Sequence, residues 1–169
     1  MPKRSSRAVS VLILVAFIAI SFAVAGLGGL ATASNVDGWY ADAAKASWNP
    51  PNGIFGPVWT VLYTVMAVSA WLIWRQRARV DVRPALTMYV AQLALNAVWT
   101  PVFFGLYPFI GAPALWIALV VIVAIDVTVL LTMTRFWRVS RTAAWLLVPY
   151  WAWVLFATTL NAALAALNS

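Results

Sequence analysis

Residues 84–125, PALTMYVAQLALNAVWTPVFFGLYPFIGAPALWIALVVIVAI, contain no charged side chain. A bilayer crossing takes about 20 residues, so this run holds two spans rather than one. The break falls at Gly105-Leu106-Tyr107-Pro108-Phe109-Ile110-Gly111, a Gly/Pro turn cluster. Working outward, Ala8–Val36, Ala46–Trp74 and Thr142–Ser169 are also uncharged. Five transmembrane helices are therefore predicted, over 9–32, 56–75, 84–105, 112–134 and 142–166. The fold class is an all-α polytopic bundle in one domain covering 1–169. Pro57, Pro84 and Pro113 stand where a first helical turn tolerates proline, whereas Pro101 and Pro149 are expected to kink their helices.

Composition excludes the main alternative. Of 169 residues 64% are hydrophobic and only 9% are charged, against about a quarter in soluble domains, so a water-soluble globule is ruled out. The net charge is +7, and every Lys and Arg except Lys45 flanks the same side of the predicted spans. Lys3, Arg4 and Arg7 lie before the first, Arg75, Arg77, Arg79 and Arg83 in the second connection, and Arg135, Arg138 and Arg141 in the fourth. This bias predicts a cytoplasmic N-terminus and an external C-terminus. It also accounts for the basic charge through anionic lipid headgroups, with no nucleic acid partner.

The basic start, apolar run and Ala31-Thr32-Ala33 resemble a cleavable signal. The run is long for one and carries Gly26, Gly28 and Gly29, so a retained first helix is expected. Small residues recur every four positions at Ala19 and Ala23, at Ala25, Gly29 and Ala33, and at Thr158, Ala162 and Ala166. Such stripes let helices approach closely, either inside the bundle or across a dimer. The chain is too short for the two inverted halves of a typical secondary transporter.

With no Cys and no His, disulfides, thiol chemistry, zinc sites and His- or Cys-ligated haem are excluded. No acid–base pair, nucleophile triad, phosphate loop or metal cluster is present in the sequence. The chain does hold eleven Trp. Phe55, Trp59 and Tyr63 recur every four residues; Gln92, Asn96, Trp99 and Phe103 share one face of the third span; Tyr150, Trp153, Ala157 and Asn161 share one face of the fifth. Amides are costly in a bilayer unless partnered and turn inward, and Ala157 leaves room on its face. Three such faces predict either a pocket for a flat, apolar molecule with polar groups at its rim, or a bundle glued by Trp and Asn. The first connection, 34–55, with Trp39-Tyr40 and Ser47-Trp48-Asn49-Pro50-Pro51, reads as a stiff aromatic loop, serving as an interfacial belt or as a lid. Asp126 is the single acid within a span. It is a candidate proton or cation site, as for a small ion- or proton-coupled carrier, or a carboxyl that stays protonated or bonds Thr128 or a neighbouring hydroxyl.

These residues carry a resemblance. Trp39-Tyr40, Ser47-Trp48-Asn49-Pro50-Pro51, Trp59-Thr60-Val61-Leu62-Tyr63, Ala91-Gln92-Leu93-Ala94-Leu95-Asn96 with Trp99, Phe103-Phe104-Gly105, Pro149-Tyr150, Trp153, Phe156-Ala157-Thr158 and Leu160-Asn161 follow one another in order. In them the chain resembles the TspO/translocator protein family, the tryptophan-rich sensory proteins related to the peripheral-type benzodiazepine receptor. The resemblance implies a five-helix membrane protein, often a homodimer, with a cavity beneath the first loop that binds tetrapyrroles such as protoporphyrin IX, and sterols. It implies ligand-facing roles for Tyr40, Trp48, Trp59, Tyr63, Asn96, Trp99, Trp153 and Ala157, beside Gln92, Phe103 and Tyr150 from the spacing. It also implies that Trp59 and Trp153 stand where some members degrade porphyrin in light, with porphyrin as ligand or substrate and no covalent cofactor. Three positions depart from the family. Ala162–Leu167 lacks the Tyr and Arg or Lys of the animal cholesterol pattern, Gly53 replaces an aromatic lid residue, and the third span lacks a Gly-rich dimer pattern. The setting expected is a bacterial inner membrane.

Overall fold

In hydrocarbon no water is available to backbone amides, so each apolar run closes its own hydrogen bonds as a helix. The computed structural model describes residues 7–33 and 35–169; Lys3 and Arg4 of the basic side, and residue 34 of the loop, lie outside the described residues. The chain forms α1 (Arg7–Ala33), α2 (Trp39–Asp42), α3 (Asn52–Trp74), α4 (Arg83–Thr100), a π-helical turn (Pro101–Gly105), α5 (Tyr107–Ile110), α6 (Ala112–Val139), α7 (Arg141–Leu146) and α8 (Val148–Leu167). Among the described residues five spans are long and apolar enough to cross a membrane, α4 counting with its π turn and α7 with α8. The fold is all-α.

The ends of these spans differ from the sequence reading for local reasons. α3 begins at Asn52, behind the restricted Pro51, so Pro57 lies inside the helix rather than in its first turn. Pro101 has no N–H to return to Ala97, and the helix widens there into the π turn. α6 runs on to Val139 because a charged residue leaves the membrane without ending a helix. Ser140 stops it and caps α7 by accepting from the Ala143 amide at 3.3 Å. The fifth span is interrupted at Leu147, where Pro149 cannot donate to Trp145.

α1, α4 and α8 run one way, α3 and α6 the other; α4 packs along α6, α1 against α3, and α6 against α8. The Trp71 indole donates to the Ser10 carbonyl at 2.8 Å and the Ser69 hydroxyl to the Ala143 carbonyl at 2.6 Å. These bonds gather Arg7, the 75–83 connection and Arg135–Arg141 at one end of the bundle. That end is solid: Met66, Ile73, Tyr89, Phe136 and Leu147 are buried, with Tyr89 stacked on Phe136 at 6.4 Å between centroids. α1 is peripheral and buries only Ser21, whose hydroxyl meets that of Tyr89 at 3.2 Å, and Gly28. A Cβ on Gly28 would stand 3.2 Å from Thr100 Oγ1.

The opposite end is closed by the first connection. The Trp39 indole donates to the Phe104 carbonyl at 3.1 Å, and its ring stacks on Tyr107 at 3.8 Å. That carbonyl lies in the last turn of its helix, where acceptors lack helical partners. Further along, the Ala44 amide donates to Asn168 Oδ1 at 3.0 Å while Asn168 Nδ2 donates to the Ala44 carbonyl at 2.9 Å. The loop is therefore fastened at both the π turn and the end of α8.

Two outcomes test this arrangement. Gly28→Leu will lower the melting temperature in detergent, since overpacking costs about 1–3 kcal/mol, whereas Gly26→Leu, with nothing within 4 Å of its Cβ, will leave it unchanged. Trp39→Phe keeps the stack and loses the bond to Phe104. Amide hydrogen exchange across residues 35–49 should then quicken about fivefold, the equivalent of roughly 1 kcal/mol of local opening.

Candidate functional site

Between the fastened loop and the solid end lies a cavity of about 440 Å³, within the roughly 300–1,000 Å³ usual for small-molecule sites. α1, α3, α4 with the π turn, α8 and the first connection wall it. α3 supplies Trp59 and Tyr63; α4 and the π turn supply Asn96, Trp99 and Phe103; α8 supplies Trp153, Ala157 and Asn161; the loop supplies Tyr40 and Asn49. Among the described residues no charged side chain lines it. Lys45 stands above the Tyr40 ring, 4.7 Å from its centroid, and donates to the Ala41 and Ala43 carbonyls. Burial pushes the Tyr40 phenol above its ordinary value, outweighing the lowering by its hydrogen bond to Asn49, so it stays neutral.

The ring pairs follow helical spacing. Trp59 and Tyr63 lie 5.4 Å apart at 33°, and Trp99 stacks on Phe103 at 4.9 Å. Phe55 meets Trp153 edge-on at 5.9 Å. The polar groups turn toward one another. The Tyr63 hydroxyl donates to Asn96 Oδ1 at 2.6 Å, Asn96 Nδ2 to the Tyr150 hydroxyl at 3.1 Å, and that hydroxyl to Gln92 Oε1 at 2.8 Å. The Trp99 indole donates to Asn161 Oδ1 at 3.2 Å, and Asn161 Nδ2 to the Leu115 carbonyl at 3.0 Å. With the amides committed in this way, the cavity presents mainly aromatic faces. The Trp153 indole N–H, by contrast, is buried without an acceptor.

Of the residues singled out from sequence, Tyr40, Trp59, Tyr63, Asn96, Trp99, Phe103, Trp153 and Ala157 line the cavity. Gln92, Tyr150 and Trp48 do not. Gln92 and Tyr150 share faces with lining residues but sit one turn nearer the solid end, fully buried beneath the floor. Trp48 is 55% exposed on the loop. Sequence reasoning missed the α1 wall: Ala25, Gly29 and Ala33, read as a close-packing stripe, line the hollow instead, and no atom comes within 4 Å of a Cβ built on Gly29. Of the other stripes, Ala19, Ala23 and Ala166 face outward. Thr60 and Thr100 were also missed, and nothing in their spacing marks them.

Asp126 is apart from the cavity. Its Oδ2 accepts from the Thr158 hydroxyl at 2.7 Å across α6 and α8, while Thr128 bonds its own helix at Ala124 and Ile125. Its Oδ1 has no partner. Among the described residues no cluster of acids could hold a metal ion. The carboxyl thus joins α6 to α8 and does not line the cavity.

Known proteins share this arrangement of sequence. The profile of the TspO/MBR family matches residues 17–167. The tryptophan-rich protein TspO of Archaeoglobus fulgidus is 38% identical over 161 residues, covering 95% of this chain and 99% of that one. The translocator protein of Homo sapiens is 39% identical over 125 residues, covering 73% and 70%, and the tryptophan-rich sensory protein of Cereibacter sphaeroides is 38% identical over 125 residues, covering 74% and 73%. With five apolar spans and a match along nearly its whole length, the chain is an integral membrane protein and belongs to the TspO/MBR family.

Proposed function

We propose that this protein binds tetrapyrroles of the protoporphyrin or haem-like class in its intramembrane cavity and serves in sensing or moving them. The observation that carries the reading is a hollow of about 440 Å³ walled by Trp59, Tyr63, Trp99 and Trp153, with no charge on its lining among the described residues. Flat conjugated rings gain from offset and edge-on contact with such side chains, while the carboxylates of a porphyrin reach the rim at Asn49 and Lys45. Sterol-like lipids are a second class of guest with the same flat apolar shape. The names of relatives, translocator protein and tryptophan-rich sensory protein, accord with movement and sensing. The gathering of Arg7, Arg75–Arg83 and Arg135–Arg141 at the solid end supports an orientation with that end at the cytoplasmic face and the loop and cavity rim outside.

Titration with protoporphyrin IX tests the reading through quenching of Trp fluorescence. Quenching should saturate, and Trp153→Ala should weaken binding about tenfold, the equivalent of about 1.4 kcal/mol. Ala157→Phe, which fills the hollow, should weaken it further at an unchanged melting temperature. Unaltered affinity in both variants would overturn the assignment.

A second reading is favoured by Trp59 and Trp153 both lining the cavity: light- and oxygen-dependent breakdown of the bound porphyrin. An excited porphyrin passes its energy to oxygen; the singlet oxygen adds across a carbon–carbon double bond of the macrocycle, and the resulting dioxetane opens to two carbonyls that keep both oxygen atoms, while the electron-rich indoles of Trp59 and Trp153 hold the ring. Under illumination in air, Trp59→Phe and Trp153→Phe should slow loss of the porphyrin while binding survives. Equal bleaching with and without the protein would dismiss this chemistry.

A further inference from the structure

At the arginine end, on the outer surface, a groove of about 280 Å³ lies between α6 and the α7–α8 junction. Leu130, Met133, Thr134 and Trp137 form one wall at i, i+3, i+4 and i+7 of α6; Ala144, Trp145 and Val148 form the other. No polar atom opens into it, because the Thr134 hydroxyl is turned back on the Leu131 carbonyl at 2.8 Å. Trp137 and Trp145 are 45% and 61% exposed and meet edge-on at 5.9 Å. The Arg141 guanidinium lies 5.5 Å over the Trp137 ring, and Arg138 follows Thr134 one turn along the same face of α6. Among the described residues no carboxylate pairs with Arg135, Arg138 or Arg141. Asp37 and Asp42 are at the far end, Asp81 bonds the Arg83 amide, and Asp126 bonds Thr158.

We propose that this groove holds an anionic phospholipid, with one acyl chain along Leu130, Met133 and Val148 and the phosphate against Arg138 and Arg141. The two halves of the site contribute differently. Lipid tails are as apolar as the groove, so the carbon walls order a chain without choosing among lipids. The choice falls to the headgroup: a guanidinium matches phosphate with paired hydrogen bonds, and each arginine near an anionic surface favours binding about fivefold. Indoles such as Trp137 and Trp145 settle at headgroup level, which puts Arg141 at the depth of the phosphate. The groove shares no lining residue with the ligand cavity and stands at the opposite end of the bundle, so the site is independent of any guest there.

Native mass spectrometry of the purified protein in detergent, with equimolar phosphatidylglycerol and phosphatidylcholine of matched chains, tests the proposal. Phosphatidylglycerol should be retained about twentyfold over phosphatidylcholine, two arginines acting together. Arg138→Gln/Arg141→Gln should bring that preference down to about parity, at an unchanged melting temperature. Leu130→Trp, which fills the groove from its exposed wall, should reduce retention as well. Arg79→Gln/Arg83→Gln removes the same charge from the same end and should leave the preference intact. Equal retention of the two lipids, or equal losses in both double arginine variants, would overturn the site in favour of diffuse attraction to a basic end.

Discussion

A carboxamide in hydrocarbon has no water to fall back on, and much of this bundle is arranged around that fact. Asn96 can satisfy both its ends only while α3 brings Tyr63 and α8 brings Tyr150. Asn161 likewise needs α4 for Trp99 and α6 for the Leu115 carbonyl. Each such bond between membrane helices is worth only about 0.6 kcal/mol on average, but leaving a buried partner open costs roughly 1–3 kcal/mol. The asymmetry makes the set a device for register more than for bulk stability. Four helices are held at fixed depths, and the polar ends that would otherwise face the hollow face each other.

How far this could be read in advance depended on what each pattern encodes. Uncharged runs reveal the number of spans, because charge is what a bilayer excludes; they do not reveal where helices end, which is why α6 continues through Arg135 and Arg138 to Val139. Helical spacing reveals which side chains share a face, and so it gathered Trp59, Tyr63, Asn96, Trp99, Trp153 and Ala157. Spacing carries no depth. Gln92 and Tyr150 obey the same periodicity yet fall where the core has closed. Small residues are ambiguous in a different way: a stripe of Ala and Gly looks alike whether it admits a neighbour or leaves space. Of the glycines on α1, only Gly28 meets another helix closely. Trp48, on a loop with no repeat at all, offered nothing but its neighbours' turn chemistry.

The bundle has two ends of different character. Toward the arginines, Tyr89, Phe136, Met66 and Leu147 fill the centre, and bonds from Ser69 and Trp71 tie three helix ends together. Toward the loop, the centre is aromatic wall around space, and stability comes from the rim: Trp39 against the π turn and Asn168 against Ala44. The widened turn at Pro101–Gly105 belongs to the second kind of construction, since it exposes the Phe104 carbonyl that fastens the loop.

α1 contributes a wall to that space while burying only Ser21 and Gly28. A partition so lightly anchored is mechanically soft compared with α8, whose Tyr150, Asn161 and Thr158 are bonded to neighbours on either side. Any swelling of the hollow would fall first on this stave and leave the bonded amides on the other side in place.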